Sequence, residues 1–260
     1  MKGVSDTPYQ DFIASYAVQS LMTCLFSNSL SFLPLYSGSC VTVRIGSAGP
    51  EYELSKAILC KQSSYFAATF EGEFQEGRDQ STTLTEEEGV VTQRSFEMLI
   101  QWLYLGRVLF NESSPTESIT AAIEFSRIAD MFGVTGMESP MATHIKTIIL
   151  ANPALEDQDI FKDRDVNTNT YCLVGQHITS ASFLPDGHPV RKVLAVAAVE
   201  GYIRCNEHKF LKEIRESPNF AADLLLEVKE TLKTVNLGEP HLTFIDPFSE
   251  KTLPFVTKSA

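Results

Sequence analysis

Between residues 58 and 77 the chain reads ILCKQSSYFAATFEGEFQEG, and this run restricts the possible folds more than any other. Leu59, Tyr65, Phe66, Phe70 and Phe74 are large and apolar, whereas Lys61, Glu71, Glu73 and Glu76 are charged. The order suits short, interrupted helical turns, and it matches no catalytic pattern. Aromatic side chains carried on such turns need neighbouring elements to bury them, so the flanking sequence decides what the run is for.

Upstream, CVTVRIG (40–46) is rich in β-branched residues and stops at a glycine, which predicts a strand. SAGP (47–50) supplies a turn, and EYELS (51–55) alternates Tyr52 and Leu54 with Glu51 and Glu53, so it pairs back as a hairpin. Downstream, STTLTEE (81–87) predicts a third short strand with Leu84 inward. Three amphipathic helices are then expected. TQRSFEMLIQWLYLG (92–106) carries Phe96, Leu99, Ile100, Leu103 and Tyr104 on one stripe, with Trp102 beside it. Residues 117–133 carry Phe125, Ile128, Ala129 and Phe132, and residues 136–150 carry Met141, Ile145, Ile148 and Ile149.

Outside this block the patterns are plainer. Residues 10–27 predict a helix through Ala14, Val18, Leu21, Met22 and Leu25, followed by a loop over 27–38. Residues 154–187 are polar and poorly periodic, which predicts a linker holding the short apolar piece YCLV (171–174). Asp186 is placed to cap a helix beginning near Pro189, with Val190, Val193, Leu194 and Ala197 as its face. Ser217 is placed to cap another, with Pro218 first and Phe220, Leu224, Leu225, Val228 and Leu232 as its face. From 236 onward, Pro240, Pro247 and Pro254 predict an irregular tail.

The ordered set Tyr52, Leu54, Lys56, Leu59, Ser63, Tyr65, Phe66, Phe70, Phe74, Glu76, Leu84, Phe96, Leu99, Trp102, Leu103, Tyr104 and Gly106 resembles the BTB/POZ family, most closely its divergent members in filamentous fungi. The resemblance implies an α/β (α+β) fold: a short three-stranded sheet capped by helices, with a C-terminal helical extension. It divides the chain into a helical or irregular leading segment (1–38), a BTB/POZ domain (39–152), a linker (153–187), a helical extension (188–235) and an irregular tail (236–260). It further implies a protein-interaction module without catalytic residues, acting in oligomerisation or as an adaptor. Phe74 and Glu76 resemble the family's apolar-x-Glu element, which in ligase-adaptor members contacts a cullin scaffold; simple core burial is the alternative for Phe74, and a solvated carboxylate for Glu76. Two positions depart from the pattern. Cys40 replaces an acidic residue, and Ser55 replaces a histidine. Because dimerising members use that acidic residue at the subunit seam, the departure counts against the standard homodimer. Self-association is instead expected through Val18, Leu21, Met22 and Leu25, whose apolar face needs a covering surface.

Charge and composition narrow the partners. A formal net charge of −12 opposes nucleic acid and anionic membrane surfaces, both of which call for clustered Lys and Arg. Five widely spaced cysteines give no disulfide framework, and a reducing, intracellular setting (cytoplasmic or nuclear) fits them. No stretch is long and apolar enough to span a bilayer. A transcription or chromatin scaffold is a second reading, although no DNA-binding segment accompanies it. A metal-dependent hydrolase is a third and weaker one: Cys172 with His177 and Cys205 with His208 supply zinc-type donors, but their spacings are loose. There is no G-x-S-x-G elbow, P-loop or dinucleotide fingerprint, so no catalytic residue, metal or cofactor is expected.

Overall fold

A computed structural model describes residues 38–153, 168–205, 207–237 and 242–255. The leading helix expected over 10–27, with Val18, Leu21, Met22 and Leu25, lies outside the described residues. The described residues pack as two units, those within Met1–Leu109 and Met131–Thr135, and those within Phe110–Asp130 and Gly136–Ala260. The fold is mixed α+β, a small three-stranded sheet with many helices.

In the first unit the elements run β1 (Cys40–Ile45), β2 (Glu51–Ser55), α1 (Lys56–Gln62), α2 (Ser64–Glu71), α3 (Gln75–Asp79), β3 (Ser81–Leu84) and α4 (Gln93–Leu105). The sheet order is β2-β1-β3, with β1 antiparallel to β2 and parallel to β3. The strand period of two puts Val41, Val43 and Ile45 of β1 and Tyr52 and Leu54 of β2 into the core. Gly49 closes the hairpin because a Cβ there would meet the Ile45 carbonyl oxygen at 1.8 Å. Helix α4 begins at a capping box between Thr92 and Ser95 and ends on Gly106, which is left-handed at φ +65°. Its Phe96, Leu99, Ile100 and Leu103 are buried as the stripe requires, whereas Tyr104 is half-buried and Trp102 lies at the edge.

The two departures from the family pattern have visible local settings. Ser55 caps α1, its hydroxyl accepting from the Ile58 N–H, and its own N–H donates to the Tyr104 hydroxyl at 2.8 Å. Cys40 is exposed at the start of β1, opposite Ser55.

In the second unit the elements run α5 (Pro115–Met131, its last residue belonging to the first unit), α6 (Glu138–Ala151), a 3-10 turn (Thr168–Thr170), α7 (Gly175–Ala181), α8 (Pro189–Arg204), α9 (Leu211–Glu216), α10 (Pro218–Leu232), β4 (Thr243–Ile245) and β5 (Thr252–Pro254). Helix α8 is central and packs on α6, α7, α10 and the 3-10 turn. Its buried Ala195, Ala197, Ala198 and Gly201 let those neighbours come close on several sides.

Several sequence expectations are corrected here. The polar segment read as a linker holds, among its described residues, the 3-10 turn and α7, because Leu173, Ile178, Ala181 and Leu184 are buried although their spacing is too short to register as a period. The tail read as irregular carries the antiparallel β4–β5 pair, anchored by buried Phe244 and Phe248. Asp186 does not cap α8. His188 does, its Nδ1 accepting from the Val190 N–H at 3.2 Å, while Asp186 pairs with Arg191. Ser217 precedes α10 without a side-chain cap bond. On α10 the buried face is Phe220, Leu224, Val228 and Thr231, and Leu225 and Leu232 are exposed because the stripe is narrower than its run of leucines suggests. Val193 and Ile148 are half-buried at the margins of their stripes.

Candidate functional site

Three phenylalanines of the opening run meet different fates. Phe66 and Phe70 are buried and stack on each other with ring centroids 6.1 Å apart, and Leu59 is buried with them. Phe74 is 65% exposed. It stands in extended conformation (φ −70°, ψ 166°) at the N-cap of α3, so it begins that helix and does not sit at the end of one. Glu76 is exposed in the first turn of α3, where the positive end of the helix tolerates an acid.

The backbone around Phe74 is held by contacts that leave little room. A Cβ on Gly72 would lie 2.4 Å from the Ala68 carbonyl oxygen and 3.2 Å from the Phe74 ring. A Cβ on Gly77 would lie 2.6 Å from the Gly72 carbonyl oxygen. These two glycines therefore fold the chain back tightly between α2 and α3 and leave Phe74 at the outside of the bend. Lys56 fixes the end of α2 by donating its ammonium to the Phe70 carbonyl oxygen at 2.8 Å. Gln80, left-handed at φ 51°, ends α3 before β3 begins. In the sequence Lys56 is legible only as a pattern position, and neither glycine stands out. The Gly-x4-Gly spacing that brackets Phe74 was the available signal.

The surroundings of Phe74 are acidic. Glu71, Glu73, Glu76 and Asp79 are exposed along the same 71–79 segment, with Arg78 as its basic residue. Gln75 donates to Asp79 at 3.1 Å. An exposed aromatic ring on an acidic segment has no general-acid, nucleophilic or metal geometry. What it provides is an exposed apolar ring on an acidic segment.

The residues weighed for metal lie in the second unit and serve other purposes. His177 is buried; its Nδ1 accepts from the Val174 N–H at 3.2 Å, so Nε2 carries the hydrogen and faces the Thr120 hydroxyl at 2.9 Å. Burial pulls its pKa down to about 4. His208 is engaged in the same way, accepting from the Phe210 N–H and donating to the Ala198 carbonyl oxygen, each at 3.1 Å. Cys172 is a buried thiol, raised by desolvation, that donates to the Asn152 carbonyl oxygen. With both nitrogens of each imidazole taken, His177 and His208 are turned toward protein partners. Among the described residues no three His, Cys, Asp or Glu side chains converge as metal ligands, and no helix is long and apolar enough to cross a membrane.

The first unit, with its sheet, interrupted aromatic helices and exposed Phe74, forms a small mixed α/β module. Residues 35–146 match the BTB/POZ domain family. Domains of this family mediate protein–protein interaction and oligomerisation and are in general non-catalytic. No curated protein matches the chain.

Proposed function

We propose that the chain is an adaptor that docks a cullin-type ubiquitin-ligase scaffold through Phe74 and Glu76, and that it is a BTB/POZ protein of the divergent filamentous-fungal type. In this reading residues 39–152 are the interaction module, and residues 188–235 form its helical extension. The observation that carries it is the contrast within one short run: Phe66 and Phe70 are buried, while Phe74 is 65% exposed on a glycine-bracketed bend. An unburied phenylalanine costs solvation free energy in the free protein, and a partner pocket that covers it recovers about 2 kcal/mol or more. The acidic residues Glu71, Glu73, Glu76 and Asp79 favour a partner pocket edged by Lys and Arg. Self-association through Val18, Leu21, Met22 and Leu25 belongs to the same reading and rests on the sequence pattern alone.

The test is a titration of the purified chain against the amino-terminal domain of a cullin. Phe74→Ala should remove binding while leaving the thermal midpoint unchanged. Glu76→Lys should weaken it, with a loss that shrinks as salt rises. A wild-type chain that binds no cullin at micromolar concentration removes the adaptor reading and leaves an interaction domain for other protein partners. For self-association, sedimentation of the full chain should give a dimer that Leu21→Asp converts to a monomer; a wild-type monomer at high concentration overturns that part.

A further inference from the structure

The five histidines of the chain all fall at position 144 or later, so the sequence of the first unit holds none. Three of them secure the start of a helix in one way. His188, 7% exposed, is the N-cap of α8, and its Nδ1 accepts from the Val190 N–H at 3.2 Å. His177 stands in the first turn of α7, and its Nδ1 accepts from the Val174 N–H at 3.2 Å. His208 precedes α9, and its Nδ1 accepts at 3.1 Å from the N–H of Phe210, the N-cap of that helix. A backbone N–H can only donate, so each Nδ1 keeps its lone pair and the ring hydrogen sits on Nε2. In His208 that hydrogen goes to the Ala198 carbonyl oxygen of α8, and in His177 it faces the Thr120 hydroxyl of α5. In His188 it meets no acceptor among the described residues.

A second proton has only one place to go on each ring. It must take Nδ1, where it points at a backbone N–H, so the cap bond is lost and two hydrogens are driven together. At α8 the imidazolium also lies at the positive end of a 16-residue helix, where a cation is unfavourable. The capping side chains of the first unit, Ser63 for α2 and Thr92 for α4, are hydroxyls and do not titrate. The three histidine-capped helices are neighbours, α7 packing on both α8 and α9. Each Nε2 keeps its hydrogen through the change, so the ties from His208 to α8 and from His177 to α5 persist and the loss is confined to the helix starts.

We propose that His177, His188 and His208 are a proton-operated set of helix caps, which releases the starts of α7, α8 and α9 on acidification while the hydroxyl caps of the first unit hold. Burial lowers all three rings, His177 to about 4. The charges acting on them differ. Lys209, between α8 and α9, opposes protonation of His177, and Glu213 of α9 lies against Gly175 at the start of α7. Glu138 of α6 and Asp130 of α5 favour protonation of His188, and Arg191 of its own helix opposes it. Glu213 favours protonation of His208. For a lowered histidine the stabilisation is complete above the ordinary value near pH 6.5 and is lost as pH falls toward the lowered one. The caps therefore hold at neutral pH and let go on the acid side. His144, within α6, stacks on the Phe110 ring at 4.1 Å and caps no helix start; burial lowers it too, so the caps are read at single amides and not from global stability.

Hydrogen exchange of the full chain reads each cap at its own donor, the Val174, Val190 and Phe210 amides. In the wild type their protection, corrected for intrinsic exchange, should fall by up to about tenfold per pH unit as pH drops below about 6.5. The Phe66 and Ser95 amides, held by the Ser63 and Thr92 hydroxyls, should stay level. Equal falls at all of these amides would mean that the whole chain is unfolding, and would overturn the proposal. His188→Asn leaves an oxygen acceptor at the N-cap that does not titrate, so the fall at Val190 should disappear while Val174 and Phe210 keep theirs. A Val190 profile parallel to the wild type overturns it as well. Should His188→Asn fail to fold, the imidazole nitrogen resonances of the wild type decide. A bare Nδ1 at neutral pH that takes its proton below the ordinary histidine value in all three rings supports the set. A hydrogen on any of the three Nδ1 atoms at neutral pH, or titration at the ordinary value, sinks it.

Discussion

Ser63 uses one hydroxyl for two jobs: it accepts from the Phe66 N–H at 3.1 Å, capping α2, and donates to the Phe132 carbonyl oxygen at 2.6 Å. The serine that precedes the aromatic pair thus starts the helix and ties it to the 131–135 segment of the same unit. Tyr65 and Phe66 then pack their rings on Phe132 at 4.8 and 5.2 Å. Ser63→Ala removes the cap and strands a buried carbonyl, so we expect a loss of about 2–4 kcal/mol in chemical unfolding. A loss below about 0.5 kcal/mol would mean that water replaces both bonds. Gly133, left-handed at φ +61° and facing the Ser64 hydroxyl, should resist substitution at the same junction, with Gly133→Ala also lowering the midpoint.

Leu103 is buried in the α4 stripe, and its carbonyl oxygen accepts from the Gln62 side-chain amide at 2.7 Å. Leu103→Ala leaves a cavity in a packed site and should cost about 2–5 kcal/mol, measured as a lowered unfolding midpoint at unchanged denaturant slope.

Arg191 is a buried cation with unequal partners. Its guanidinium meets Asp223 at 2.8 Å and Asp186 at 2.7 Å, and it also donates to the Leu184 and Asn219 carbonyl oxygens. The Arg191 side chain is 4% exposed, whereas that of Asp186 is 92% exposed. Solvent screens the second pair, so Asp186→Ala should cost less than about 1 kcal/mol. Arg191→Ala strands Asp223 and the two carbonyls and should cost about 3–5 kcal/mol. Equal losses for the two variants would contradict this ranking.

His177 is neutral in the folded protein because burial lowers its pKa to about 4. The unfolded chain binds a proton near pH 6.5, so it gains protons over the native state as pH falls between these values. Stability is therefore full above about pH 6.5 and declines toward about pH 4, by about 3 kcal/mol for this one group. Urea unfolding across that range should show the decline in the wild type and a decline smaller by about that amount in His177→Asn. The same slope in both proteins would assign the acid sensitivity to other groups.

In the first unit the elements were legible in the sequence because their signals are local. Period-two alternation in 40–55 sets which face of β1 and β2 is buried, and the α4 stripe with its glycine stop sets that helix. In the second unit legibility falls where segments are short. Residues 168–184 bury Leu173, Ile178 and Leu184 with no repeat long enough to display a period, and the β4–β5 pair depends on two phenylalanines separated by a proline turn. For the candidate site, the sequence supplied Phe74 and Glu76 as a resemblance but did not predict the bend formed by Gly72, Gly77 and Lys56 that presents them.

By itself, then, the sequence determined which residues are apolar and at what local period, and hence the strands, the long helices and the family pattern. Tertiary structure alone decided the rest. Phe66, Phe70 and Phe74 recur at the same helical interval, yet only a closed bend between α2 and α3 turns the third toward solvent. Glu200 sits in the apolar run VLAVAAVEGY, where its charge looks like a break in a pattern, until the folded chain buries it and brings Asn169, 31 positions earlier, to donate to it. A single chain records its residues in order, whereas burial and the pairing of charges depend on segments that only the folded protein brings together.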